Sequence, residues 1–161
     1  MIRNCAFETP VGCITLTEEQ GVLIALHFCD LDDGDAPTPL LRQAFCQLKA
    51  YFSGQRHTFS LPLAPQGTPF QQIVWCALQT IPYGQTCSYK YIAEVVNHPT
   101  AYRAVGQAIH QNPLPLLIPC HRVIEASGKI TGYAGGLALK QQLLEIETAE
   151  HIMCSAASIY R

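Results

Sequence analysis

Apolar positions recur with two different periods along this chain, and the change of period divides it. From Val11 to Phe28 the period is two: Ile14 and Leu16 alternate with Thr15 and Thr17, and Ile24, Leu26 and Phe28 repeat the alternation beyond a break at Glu18 to Gly21. Alternation of this kind buries one face of a strand, so a β-hairpin is predicted. Thr38-Pro39 then supplies an N-cap and a first-turn proline, and Leu40, Leu41, Ala44, Phe45, Leu48, Tyr51 and Phe52 hold a helical stripe until Gly54. Phe59, Leu61 and Leu63 alternate again, but Pro62 lacks an N–H and would confine such a strand to a sheet edge.

Pro65 to Gly67 reads as a linker, which sets the expected division into residues 1–66, a small structural α+β unit, and residues 67–161. Beyond it the period becomes helical. Thr68-Pro69 repeats the helix-start signal, and Phe70, Ile73, Val74, Ala77, Leu78 and Ile81 form a stripe ending at Pro82-Tyr83-Gly84; Trp75 reads as core or interface. Ser88 caps a short helix with Ile92, Val95 and Val96 inward, Asn97 to Pro99 turns the chain, and Ala101 to Gln111 forms a second helix. Two short helices joined by a tight turn have the layout of a helix-turn-helix. The fold class expected is α+β: a small antiparallel sheet with a helix, then a mostly helical region.

The 161 residues, 48% of them hydrophobic, suffice for a real core. Eight cysteines at irregular spacing form no compact disulfide framework, and Met1 to Phe7 has no signal-peptide pattern, so free thiols in a reducing cytoplasm are expected. The longest apolar run, Leu114 to Ile118, is too short for a bilayer, so no membrane partner is expected. A net charge of −2 is unusual for a DNA-binding protein. The charge is uneven, however: Asp30 to Asp35 holds four acids, whereas Tyr89 to Arg122 holds Lys90, Arg103, Arg122 and three histidines against Glu94 alone. A locally basic face can coexist with an acidic total.

The richest chemistry lies in Asn112 to Val123, Asn-Pro-Leu-Pro-Leu-Leu-Ile-Pro-Cys-His-Arg-Val. Its three prolines preclude a helix, and an extended, buried segment is expected to end on Cys120, His121 and Arg122. An imidazole and a guanidinium beside a thiol can favour the thiolate. A buried cysteine acting only as a small hydrophobe is the plainer reading. Adjacency also opposes a direct dyad, because neighbours on a strand face opposite ways; His121 would need a turn or an intervening water to reach the sulfur.

Pro-Cys-His-Arg-Val, preceded by Asn-Pro and followed by Gly132-Tyr133-Ala134-Gly135-Gly136, resembles the O6-alkylguanine-DNA alkyltransferases, closely from Gly67 to Glu147 and loosely before that. The resemblance implies an RNase H-like N-terminal unit and a winged-helix-like C-terminal one. It implies irreversible, single-turnover transfer of an alkyl group, methyl above all, from O6-alkylguanine to Cys120. O4-alkylthymine is a further substrate it leaves open. His121 is then the base acting through water, Glu147 on a helix from Leu137 to Glu150 orients it, and Asn112 fixes the turn. Tyr89 displaces a phosphate and Arg103 fills the space left by the flipped base. Ala104 lies on the thin helix, whose small residues suit either close helix packing or the minor groove; the resemblance favours DNA. Arg122 belongs to the basic face expected to meet DNA. Pro115 would lie against the base, the carbonyls of Val123 and Cys120 would meet its exocyclic amine, and Tyr133 and Ala134 complete the pocket. The partner expected is double-stranded DNA carrying O6-alkylguanine, bound by a monomer without cofactor.

Two other readings exist: a lesion sensor without transfer, though such relatives carry tryptophan where this chain has Cys120, and a cysteine hydrolase using His57, His98 or His110. His27 and Cys29, with Cys5 and Cys13, could suggest zinc, but no CxxC pair exists and no metal is expected. Tyr102, His110 and Glu125 depart from the small or neutral residues usual at their positions in the family.

Overall fold

The computed structural model describes residues 1–31, 34 and 36–159, with side chains up to residue 148. Asp32, Asp33 and Asp35 of the acidic stretch lie outside the described residues. Strands β1 (Ile2–Thr9), β2 (Gly12–Glu19) and β3 (Val22–His27) form an antiparallel sheet in the order β1-β2-β3. The hairpin expected from Val11 to Phe28 is β2–β3, turned at Gln20 (φ 51°) and Gly21 (φ 80°), two left-handed residues that match the twist of the strands they join.

Alternation misreads part of β3. Pairing jumps from Thr17↔Ala25 to Glu18↔Leu23, a bulge that skips Ile24. One extra residue reverses which side chains face inward, so Leu23 and Leu26 are buried while Ile24 is only partly so. β1 has no clear alternation and was not expected; it pairs along its whole length with β2, Ile2↔Glu19 through Thr9↔Gly12.

Helix α1 (Pro39–Phe52) starts where its cap predicts: the Thr38 side chain accepts from the Leu41 amide, and Leu41, Ala44, Leu48 and Tyr51 are buried. No strand follows. Leu63 makes one parallel bridge to Leu23, held by Leu23 N–H to the Pro62 carbonyl (2.9 Å) and Ala64 N–H to the Leu23 carbonyl (2.9 Å).

Helix α2 (Pro69–Leu78) opens with a full capping box between Thr68 and Gln71. Trp75 is core, its indole N–H donating to the Ala108 carbonyl at 2.8 Å, but Ile73 is 49% exposed. Ser88 caps α3 (Tyr89–Val95), Asn97 (φ 62°) takes the left-handed turn position Asn tolerates, and α4 (Tyr102–His110) follows. Ile92, Ala93 and Val96 face inward; Val95, expected there, is 45% exposed. Two-residue strands β4 (Cys87–Ser88) and β5 (Val123–Ile124) pair in parallel beside this helix-turn-helix. Helix α5 (Leu137–Ile159) is the last described element. No described helix is long and apolar enough to cross a membrane.

Candidate active site

Asn112 to Pro119 does not run extended as expected. Prolines exclude a helix, but Leu116 adopts φ 76° and folds the segment back on itself, with Ile118 N–H reaching the Leu114 carbonyl at 2.9 Å. Asn112, 6% exposed, staples this loop from within: its amide donates to the Ile118 carbonyl (2.9 Å) and its oxygen accepts from Leu114 N–H (2.9 Å). Left-handed backbone at a leucine costs on the order of 1 kcal/mol, which the surrounding apolar burial offsets.

The loop delivers the chain into a single 3-10 turn, Cys120–Arg122, rather than a strand. The turn removes the objection raised by adjacency, because successive side chains no longer face opposite ways. Cys120 is 7% exposed and His121 and Glu147 are essentially buried. His121 Nε2 lies 2.7 Å from Glu147 Oε2. The same carboxylate accepts from the Tyr51 hydroxyl (2.6 Å), from Arg122 Nε (2.8 Å) and Nη2 (3.1 Å), and more distantly from Gly84 N–H (3.4 Å).

Burial alone would raise the Glu147 pKa, but hydrogen bonds from His121 and Arg122, with the charge of Arg122, outweigh it and bring it down to about 2. An ionised carboxylate only accepts, so Nε2 of His121 carries the hydrogen. Burial lowers the pKa of His121 against the pull of Glu147, which leaves the imidazole neutral. Its Nδ1 is then an open lone pair, buried and without a partner among the described residues. An imidazole whose tautomer is fixed from behind, with one nitrogen open, can accept a proton.

The sulfur is a resting thiol, not the thiolate its neighbours suggested. Burial pushes Cys120 up to about 11, opposed by Asn112, by the charge of Lys140 and by backbone amides of Cys120 and Leu116. Arg122 is engaged by other groups and is not available to DNA. It is 6% exposed, bound to Glu147 and, through Nη1, to the Ile81 carbonyl at 2.7 Å. Its expected DNA contact is corrected to a buried counterion for Glu147.

Lys140 was missed by sequence reasoning. It is fully buried on α5, with Nζ donating to the Val123 carbonyl (2.7 Å) and the Thr131 carbonyl (2.6 Å). The Val123 carbonyl expected to meet a base is therefore already engaged, with one lone pair to spare. Tyr51 was missed too, as was the reach of the N-terminal unit: Leu26 N–H binds the Pro113 carbonyl (2.9 Å) and Phe28 lies 5.7 Å from Tyr133. A spacing signal existed for Lys140, since Lys140, Leu143 and Glu147 fall at i, i+3 and i+7 on one face of α5.

The other expected residues surround this centre. Pro115 and Val123 are buried. The Tyr133 ring stands edge-on to His121 at 6.3 Å, its hydroxyl buried without a partner among the described residues, and Ala134 is exposed beside it. Tyr89 is half-buried, with its hydroxyl 3.3 Å from Thr131 Oγ1, and Arg103 and Ala104 lie exposed on α4. The remote histidines offered as hydrolase bases sit on aromatic rings instead: His57 stacks on Tyr83 at 3.9 Å and His98 meets Phe70 at 5.6 Å, while His110 lies 6.2 Å from Tyr89. Among the described residues no three His, Cys, Asp or Glu side chains gather as a metal site.

Two family models match, the ribonuclease-like domain of 6-O-methylguanine DNA methyltransferase over residues 2–65 and its DNA-binding domain over residues 69–149. The chain belongs to the 6-O-methylguanine DNA methyltransferase family. Among its relatives, the methylated-DNA–protein-cysteine methyltransferase of Methanosarcina barkeri is 57% identical, over 87% of this chain and 93% of its own length. The constitutive one of Bacillus subtilis is 47% identical, over 87% and 92%. A crystal structure of Mycobacterium tuberculosis OGT in complex with DNA superposes with a TM-score of 0.83 at 44% identity, covering 92% of this chain and 93% of that one. For a methyltransferase of this family, the departures fall at the edges: Tyr102 is 52% exposed on α4, and Glu125 closes its own turn with Ser127.

Proposed function

We propose that this chain repairs DNA directly, moving the alkyl group of O6-alkylguanine onto Cys120 once and irreversibly. The observation that carries the reading is the buried His121–Glu147 pair beside the cysteine, with the acceptor nitrogen of the imidazole open. Because the thiol rests protonated, attack and deprotonation go together. The Sγ–H proton passes, through a water, to His121 Nδ1 as sulfur bonds to the alkyl carbon. The bond from that carbon to O6 breaks and its electron pair passes into the purine, whose ring nitrogen takes a proton from solvent water. The imidazolium later returns the thiol proton to solvent, and ordinary guanine is left in the DNA. Asn112 and Lys140 stabilise the charge that develops on sulfur, and Glu147 holds the imidazolium. The thioether formed has no proton to lose and no good leaving group, so each molecule acts once. The steps use neither metal nor cofactor.

DNA is met by the exposed face of α4, with Arg103 filling the place of the extruded base and Ala104 allowing close approach in the minor groove. Tyr89, between α4 and the pocket, displaces the phosphate. Pro115 and Tyr133 flank the base, with Val123 and Ala134 offering backbone atoms. The unit is a monomer of two parts, residues 1–66 and 67–161, working in the cytoplasm. The first part does more than scaffold, since Tyr51 supports Glu147.

Incubation with duplex DNA carrying a labelled methyl group at guanine O6 tests this. Label should move to Cys120 one-to-one and then stop. Cys120→Ala should abolish transfer while DNA binding persists; label on that variant, or release of a small product over many turnovers, would overturn the assignment.

A further inference from the structure

The sulfur is nearly closed to solvent, so a base large enough to react cannot enter without something moving. The segment from Thr131 to Gly136 lies beside the site, with the Tyr133 ring edge-on to His121 at 6.3 Å, and it is tied down at both ends. Its base is held by Lys140 Nζ on the Thr131 carbonyl (2.6 Å) and by the turn bond from Gly136 N–H to the Tyr133 carbonyl (3.0 Å). Beside that anchor, the side chain of Thr131 and the backbone of Gly132 are held more lightly. Tyr89 Oη lies 3.3 Å from Thr131 Oγ1, and the His110 ring lies against Gly132. A Cβ built on Gly132 would stand 2.1 Å from His110 Cε1 and 2.9 Å from Nδ1, so no other residue fits there while the imidazole stays. Gly132 (φ 43°) and Gly136 (φ 95°) are left-handed, and around Gly136 there is open space.

His110 is the last residue of α4, the helix that carries Arg103 and Ala104, and its ring centroid is 6.2 Å from that of Tyr89. It is exposed on its outer side, yet burial of the inner side and the charge of Lys140 lower its pKa, as expected for a ring seated on the rim of the pocket. One side chain thus touches the proposed DNA-reading helix, the phosphate-displacing tyrosine and the segment from Thr131 to Gly136.

We infer that His110 is a specificity-determining gate residue: with Tyr89 and Thr131 it latches the 131–136 flap over Cys120 and limits entry by bases not presented on DNA. The inference deepens the proposed function of Cys120 and rests on it. Insertion of a phosphate between Tyr89 and Thr131 would break the lighter contact, so duplex DNA opens the flap, whereas a free purine has to wait for spontaneous opening.

The test compares the intact protein with His110→Ala and Thr131→Val, each confirmed to melt as a folded protein. Three rates are read: alkylation of Cys120 by iodoacetamide, followed by mass spectrometry of the Cys120 peptide; reaction with free O6-benzylguanine; and methyl transfer from duplex DNA. Both variants should react with the two small reagents on the order of threefold to tenfold faster, as a weakened closing equilibrium requires, with a smaller change on the duplex. Gly132→Ala should also accelerate the small reagents in the intact background, and that gain should shrink once His110→Ala has removed the collision. Unchanged or slower small-reagent rates in His110→Ala, or a Gly132→Ala effect independent of residue 110, would overturn the gate. Failure of the proposed function is a separate result: the unsubstituted protein would then take no label from DNA, while the iodoacetamide rates would still decide whether His110 restrains the flap.

Discussion

Replacing Glu147 by glutamine preserves shape and removes one charge, and the surroundings say what should happen. The carboxylate accepts five hydrogen bonds: Oε2 from Tyr51, His121 and Arg122 Nη2, and Oε1 from Arg122 Nε and Gly84. An amide must place its NH2 at one of these positions, and either way at least two donors are met by a third. Arg122, at 6% exposure, also loses its only carboxylate partner in the described structure. Leaving a buried charge uncompensated costs about 3–5 kcal/mol. For a chain of this length that corresponds to a fall in Tm of roughly 6–20 °C. The chemical effect is separable. The amide of the substituted side chain can donate to Nε2, which would move the imidazole hydrogen to Nδ1 and abolish the base, a loss of about 10²–10⁴ in rate by analogy with other oriented imidazoles. Thermal melting and single-turnover transfer of labelled methyl, done below the lowered Tm, read the two effects apart. A variant that melts within about 2 °C of the unsubstituted protein, by the Tm scale above, and transfers at its rate would refute both arguments. Lost stability with an unchanged rate would refute only the tautomer argument.

Three further outcomes follow from the same geometry. Arg103→Ala should slow transfer on duplex DNA much more than reaction with free O6-benzylguanine; equal slowing on both would remove its proposed role in base extrusion. Lys140→Met, a swap of similar length, should raise the Cys120 pKa further, because the lysine charge opposes burial there. Its rate-against-pH curve should shift to higher pH, and an unshifted curve would mean Lys140 only ties Val123 to Thr131. Acid should destabilise the fold through Glu147, whose folded pKa of about 2 lies below its ordinary 4.5. A depressed carboxylate contributes stability that is present above pH 4.5 and lost as pH falls toward 2, about 3 kcal/mol at 1.36 kcal/mol per pH unit. The loss seen by denaturant titration across that range should be smaller in Glu147→Gln, and an equal loss would assign it to other groups.

What the sequence discloses and what it hides follow from the range of the interaction concerned. Thr38, Thr68 and Ser88 announce their helices because a cap bonds an amide three residues away, and that geometry is written in adjacent letters. Cys120 and His121 stand out as neighbours for the same reason, and the prolines before them exclude a helix, though nothing local shows that Leu116 will turn left-handed. The β3 bulge is hidden because a two-residue alternation cannot show where pairing slips; only the partner strand and the buried face decide that. Glu147 is the extreme case. Beside the exposed Glu145 and Thr148 on α5 it reads as a solvated charge, the commoner fate of a glutamate. Its partners stand 25, 26 and 96 residues away, at Arg122, His121 and Tyr51, and each alone is an ordinary residue. Two charges at the spacing of a buried stripe, Lys140 and Glu147 on either side of Leu143, are the one local anomaly. Chemistry explains it: a fold tolerates two ions in its core when hydrogen bonds compensate them, and here the lysine ties the Val123 and Thr131 carbonyls while the glutamate holds Tyr51, His121 and Arg122.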